Sequence, residues 1–75
     1  MRQISEIARE ISADWRKPYF GAVPYLAAMH SLGDISESYY CDSARSVVAY
    51  FLANAQSWRG ETARRVKKEL NALLK

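Results

Sequence analysis

The stretch that decides the fold is Ser43 to Ala55, Ser-Ala-Arg-Ser-Val-Val-Ala-Tyr-Phe-Leu-Ala-Asn-Ala. At 100° per residue, Ala44, Val47, Val48, Phe51, Leu52 and Ala55 fill one wide arc. Ala49, Tyr50 and Ala53 cover most of the remainder, and only Arg45, Ser46 and Asn54 interrupt. Apolarity on nearly every side predicts a central helix over 43–55, enclosed by three other helices. Asp42 stands where a carboxylate would accept from the free amides of the first turn, so the sequence nominates it as N-cap.

Outward from this segment, residues 3–16 predict a first helix. Ile4, Ile7, Ala8, Ile11 and Trp15 form one stripe, with Glu6, Arg9, Glu10 and Ala13 facing away. Pro18 disfavours helical geometry at Lys17 and ends it. The connection that follows carries Tyr19 and Phe20, and one of these rings is expected to fold inward as a lid on the core. A second helix is expected over 22–32, with Pro24 in its first turn, where a missing amide costs nothing. Gly33 is the natural residue to end it with positive φ. Residues 34–42 read as an irregular loop containing one helical turn, anchored by Ile35. A fourth helix is expected over 58–74, capped by Ser57, with Glu61 as the alternative start beyond Gly60. Its apolar face is Ala63, Val66, Leu70, Leu73 and Leu74; Arg64, Lys67, Lys68, Asn71 and Lys75 occupy the adjoining flank. Glu61 with Arg65, and Arg65 with Glu69, are spaced for pairs within the helix. The reading is therefore an all-α, compact four-helix bundle in a single domain over 1–75.

Composition narrows the class. Apolar residues make up 49% of 75 positions, too many for a disordered chain. So short a chain buries only about 60% of its unfolded surface, and Cys41, the single cysteine, gives it no disulfide. Efficient helix packing or a second copy must compensate. The longest uncharged run, between Lys17 and Asp34, contains two prolines and two glycines and is not a membrane span. An acidic, amphipathic N-terminus argues against a signal peptide, and with a lone cysteine it points to the cytoplasm.

Net charge is +3 and unevenly placed: Arg59 to Lys75 is basic, while Asp34 to Asp42 carries acids and no base. Such asymmetry suggests an oriented interaction, and an unevenly decorated solvated surface is its ordinary alternative.

No catalytic constellation emerges. His30 lies beside the apolar face of the second helix without the convergent partners a nucleophile needs, and reads as a surface or hydrogen-bonded histidine. Cys41 has too few potential co-ligands for zinc and reads as a small buried hydrophobe. No phosphate loop, metal set or cofactor motif is present. Tyr39-Tyr40 is more informative. Two adjacent rings in an acidic loop cannot both point inward, and an exposed tyrosine gives contact area at low entropic cost. Trp58-Arg59-Gly60-Glu61-Thr62-Ala63-Arg64 reads as a packed tryptophan followed by an Arg59–Glu61 lock or an anion-binding notch. Candidate protein-contact residues are thus Tyr39, Tyr40, Arg59 and Arg64. For nucleic acid the candidates are Arg64, Lys67, Lys68 and Lys75, with the phosphate backbone as target.

The pattern Ile4, Ile7, Ala8, Asp14-Trp15, then Pro24-Tyr25-Leu26 with Met29, then Val47-Val48 with Tyr50-Phe51-Leu52 and Asn54-Ala55, then Trp58 to Arg64, resembles small helical proteins encoded by bacteriophages, prophages and other mobile elements. That resemblance covers the whole chain. It implies an accessory factor that acts by binding a protein, either a host target, which it would inhibit, or itself as a dimer. It carries no enzymatic activity and no site residues.

Overall fold

The structure is a computed structural model and describes residues 2–75. Four helices are present: α1 (Ile4–Asp14), α2 (Val23–Met29), α3 (Ala44–Ala53) and α4 (Glu61–Leu74). Between α2 and α3 stands a two-stranded antiparallel hairpin, β1 (Ser38–Tyr39) and β2 (Asp42–Ser43), with Ser38 opposite Ser43 and Tyr39 opposite Asp42. The fold is mostly helical but not purely so. The hairpin replaces much of the expected irregular loop because Tyr40 takes the left-handed backbone, φ 55°, and lets the chain reverse within two residues. Its second strand also changes the cap of α3. The helix begins at Ala44, so Ser43 and not Asp42 stands in the cap position, its hydroxyl accepting from the Ser46 amide at 3.1 Å.

The N-terminus of α1 is tied to the end of the α2 segment. The Ile4 amide donates to the Gly33 carbonyl and the Ser5 amide to the Leu32 carbonyl, both at 2.8 Å. The Glu6 carboxylate accepts from the Gln3 amide at 3.0 Å. Three donors at the start of this segment are thereby satisfied. Gly33 does not end α2 with positive φ; among the described residues Gly60 is the only glycine that does. α2 closes at Met29 because the bonds beyond it tighten, Ser31 to Ala28 and Leu32 to Met29. Gly33 then serves the loop, its amide donating to the Glu37 carboxylate at 3.0 Å. In place of the helical turn expected to run toward Tyr40, a single turn stands at 34–37, closed by the Glu37 amide on the Asp34 carbonyl at 3.0 Å, and Ile35 packs on the core.

α4 begins at Glu61. Gly60 precedes it with φ 117° and ψ −178°, backbone that an L residue avoids, so the chain cannot run helically from Trp58 into α4. Trp58 lies in the connection and is buried all the same, 2% exposed. Its ring stacks on Trp15 at 5.8 Å and meets Phe51 edge-on at 6.5 Å, while Trp15 meets Phe51 at 6.2 Å. These three rings close the end of the core where a lid from Tyr19 or Phe20 was expected. Neither of those two is buried. The remaining core is apolar throughout: Ile4, Ile7, Ile11, Met29, Val48, Val66 and Leu70 are fully enclosed, and among the described residues no polar one is.

α3 packs on α2, on α4 and on the hairpin. It is not enclosed all round. Ala44, Val47, Val48 and Phe51 are buried, whereas Ala49, Tyr50 and Ala53 face solvent. α2 is only seven residues long and leaves this flank of α3 open.

α1 and α4 are joined by charge as well as by packing. Arg2 forks onto Glu69, Nε to Oε2 at 3.1 Å and Nη2 to Oε1 at 2.6 Å, and pairs with Glu10 at 2.8 Å. Arg65 also pairs with Glu10. The pairs expected within α4 are thus replaced by pairs across helices, because α1 brings carboxylate and guanidinium groups to the same flank. The Arg2 hydrogen bond holds the Glu69 carboxyl below its ordinary range, and Arg65, then Arg2, does the same for Glu10. No helix among the described residues is long and apolar enough to cross a membrane.

Candidate functional site

The most unusual surface follows from where the charges are absent. From Pro18 to Gly33 and from Ser46 to Trp58 the chain holds no Asp, Glu, Lys or Arg. These segments contain α2 and nearly all of α3; Arg16 and Lys17 flank the first of them and Arg45 and Arg59 the second.

These segments carry two pairs of aromatic rings. Phe20, 79% exposed, lies against Tyr19, 46% exposed, with ring centres 4.7 Å apart. Tyr19 lies over Gly21, where a Cβ would come within 2.6 Å of the tyrosine ring and 2.8 Å of Asn54 Oδ1. The absence of a side chain at Gly21 is what lets the ring approach α3. Asn54 in turn donates to the Tyr50 carbonyl at 2.8 Å. Tyr50 is 53% exposed and stacks on Tyr25 of α2 at 5.4 Å. The two ring pairs, Phe20–Tyr19 and Tyr50–Tyr25, are linked through Asn54 and are together termed the aromatic ribbon. A groove of about 330 Å³, lined by Tyr19, Ala53, Asn54, Gln56 and Ser57, runs beside it.

Three of the five large apolar side chains that stand well exposed among the described residues belong to this ribbon: Tyr19, Phe20 and Tyr50. Val23 adjoins Phe20, its amide donating to the Phe20 carbonyl at 3.3 Å. Water solvates such rings poorly, so exposure on this scale in a small chain makes this the candidate contact surface. The sequence reading passed over these residues, assigning Tyr19 or Phe20 to the core and Tyr50 to an enclosed helix. The signal was the pair of charge-free segments.

The residues nominated from sequence do not form one surface. Tyr39 is half-buried against the core, and Tyr40 stands at the hairpin tip, 88% exposed, its ring edge-on to Tyr39 at 4.7 Å. The hairpin leads directly into α3, whose Arg45 donates to the Leu74 carbonyl at 2.5 Å. Arg59 and Arg64 lie toward the N-terminal end of α4, Arg64 about 15 Å along the helix from Leu74 at 1.5 Å per residue. Both are exposed, and neither has an ion-pair partner among the described residues, so the anticipated Arg59–Glu61 lock is not made.

The basic flank of α4 is also divided. Lys67 donates to the Trp58 carbonyl at 2.6 Å and lies 5.9 Å from the centre of that ring. Burial, then the Arg59 charge, push its pKa below the ordinary lysine value. Its ammonium thus braces the 58–60 connection. Lys68 and Lys75 are exposed without an ion pair among the described residues, like Arg64. Cys41 is a free thiol exposed at the hairpin, not a buried hydrophobe, because the turn carries it outward. His30 is exposed, its Nε2 2.9 Å from Ser12 Oγ, as a surface histidine. Among the described residues no group of His, Cys, Asp and Glu is arranged to hold a metal ion.

Comparison with protein families, curated proteins and solved structures finds no match to this chain.

Proposed function

We propose that the chain is a non-enzymatic accessory protein of a phage or mobile element that acts in the cytoplasm by protein–protein interaction, with a host protein or with itself. The observation that carries this reading is the aromatic ribbon, its rings exposed on two segments of the chain that hold no charged residue. Interfaces are enriched in tyrosine and phenylalanine and depleted of charge at their centre, which is the composition of these segments. The hairpin tip, with Tyr40 and Cys41, is a smaller contact point of the same kind. Replacing Tyr50 by a photo-crosslinking phenylalanine analogue in cells tests the reading. Adducts with a defined protein, self or host, are expected; adducts no more frequent than from the same analogue at solvent-exposed Arg9 refute it.

A second reading is supported by the cations of α4. Arg59, Arg64, Lys68 and Lys75 have no carboxylate partner among the described residues and would follow a phosphate backbone. It predicts duplex-DNA affinity that falls steeply with salt. Arg64→Gln and Lys68→Gln should each reduce the salt slope by about one unit, and Lys67→Gln should act through folding instead. Absence of binding at low salt ends this alternative.

A further inference from the structure

We infer that the 53–57 groove and the rings beside it bind a single-stranded nucleic acid, its phosphates on Arg16, Lys17 and Arg59 and a base against Phe20. Protein contact is then left to the Tyr25–Tyr50 half of the ribbon, and the site shares only Arg59 with the cations of α4.

Two fixed points define the site. Trp15 stacks on Trp58 at 5.8 Å, and Tyr19 lies over Gly21 against Asn54 and lines the groove. The 15–19 segment is therefore pinned alongside 54–58 at both its ends, with Arg16 and Lys17 between the pins. Arg59 directly follows Trp58 and Ser57, the last residue of the groove wall. All three cations are exposed, and none has a carboxylate at ion-pair distance among the described residues. The nearest carboxylates along the chain are Asp14 and Glu61, and Asp14 accepts from the Trp58 indole at 2.8 Å. Lys67, over the Trp58 ring, is close enough to Arg59 for that charge, after burial, to lower its pKa. Like charges gathered at one end of a molecule oppose one another, and an anionic ligand relieves that opposition.

Charge alone fits any polyanion, and the rings choose among them. Phe20 is 79% exposed and Tyr19 46%, just beyond Arg16 and Lys17, so cations and rings follow one another along 16–20. A single strand carries the same alternation, a charged phosphate and a flat base in each nucleotide, and its bases stack on exposed aromatic rings. In a duplex the base faces are covered by their neighbours and give Phe20 nothing to stack on. An acidic peptide brings the charge without the flat faces. Gln56 and Ser57, exposed on the edge of the groove, supply amide and hydroxyl groups to a base edge.

The test is fluorescence anisotropy of a labelled oligothymidylate of about a dozen nucleotides, titrated with the full chain. Binding at low salt that weakens as salt rises is expected. A variant carrying Arg16→Gln and Lys17→Gln should lower the salt slope by about 1.4 units, at about 0.7 per phosphate on a single strand. Phe20→Ala should weaken binding about tenfold at an unchanged slope, since it removes a stacking face and no charge. These positions are exposed, so both variants should keep the circular dichroism and melting of the parent. A duplex of equal length, and polyglutamate of equal charge, should each compete about tenfold less well than the unlabelled strand. An oligouridylate arm tells RNA from DNA as the source of the strand, and tighter binding of either supports the inference. No binding at low salt overturns it, as does binding indifferent to Phe20→Ala. Equal competition by the duplex overturns it in favour of the α4 reading, and equal competition by polyglutamate in favour of an acidic protein.

Discussion

Trp58→Phe is the substitution that probes the closure of this fold most directly. Trp58 belongs to no helix, yet it contacts three side chains at two helices: Trp15 and, through its indole N–H, Asp14 Oδ2 at 2.8 Å at the end of α1, and Phe51 of α3. Phenylalanine keeps an aromatic ring but removes the donor and the second ring. The smaller side chain forgoes about 40 Å² of burial, worth about 1 kcal/mol. It leaves up to about 40 Å³ unfilled, worth about another 1 kcal/mol. The hydrogen bond to a carboxylate contributes at the low end of its range, about 1 kcal/mol, because Asp14 stays solvated. With partial relaxation of the site the loss is about 2–3 kcal/mol. For 75 residues the whole stability is about 4–11 kcal/mol, so this is a large fraction. The melting temperature should fall by about 10–20 °C. Urea unfolding followed by far-ultraviolet circular dichroism measures the loss, and Asp14→Ala with the double variant completes a cycle that isolates the hydrogen bond. A coupling of about 1 kcal/mol is expected. A total loss under about 1 kcal/mol together with a coupling near zero would refute the idea that Trp58 locks the 54–60 connection onto α1.

Acid should unfold the protein in part through Glu10 and Glu69. Both have folded pKa values held below the ordinary 4.5 by Arg65 and Arg2, so their stabilisation is present above that value and disappears as pH falls through the lower, folded values. Glu69→Gln should cost about 0.5–1 kcal/mol at neutral pH and nothing once the carboxyl is protonated, as measured by urea midpoints across pH. Gly60→Ala should cost about 1–3 kcal/mol in thermal unfolding although a Cβ would meet nothing within 4 Å, because φ 117° alone opposes it. Tyr40→Gly should leave stability unchanged or raise it by up to about 1 kcal/mol, since φ 55° disfavours tyrosine; a clear loss would show that the Tyr39–Tyr40 contact outweighs the backbone.

The periodicity of the sequence determined the four helices and the buried stripes Ile4-Ile7-Ile11 and Ala63-Val66-Leu70, whereas Trp58 is buried without the helix expected to carry it there. A helix must hide its apolar face wherever it packs, so that much is local information. It did not determine which rings lie inside. Tyr19, Phe20 and Tyr50 look like core residues from composition, but Trp15 and Trp58 fill the end of the core first and leave no volume for them. Nor did spacing along α4 reveal its ion pairs, because Arg2 and Glu10 arrive from a distant part of the chain. The backbone reversal at Tyr40 is a third case: no glycine or asparagine marks it, and the pairing of Ser38 with Ser43 and Tyr39 with Asp42 accompanies it. Sequence fixes what each segment needs to bury, while only tertiary packing settles who supplies the cover, and the aromatic ribbon is what remains when the cover runs out.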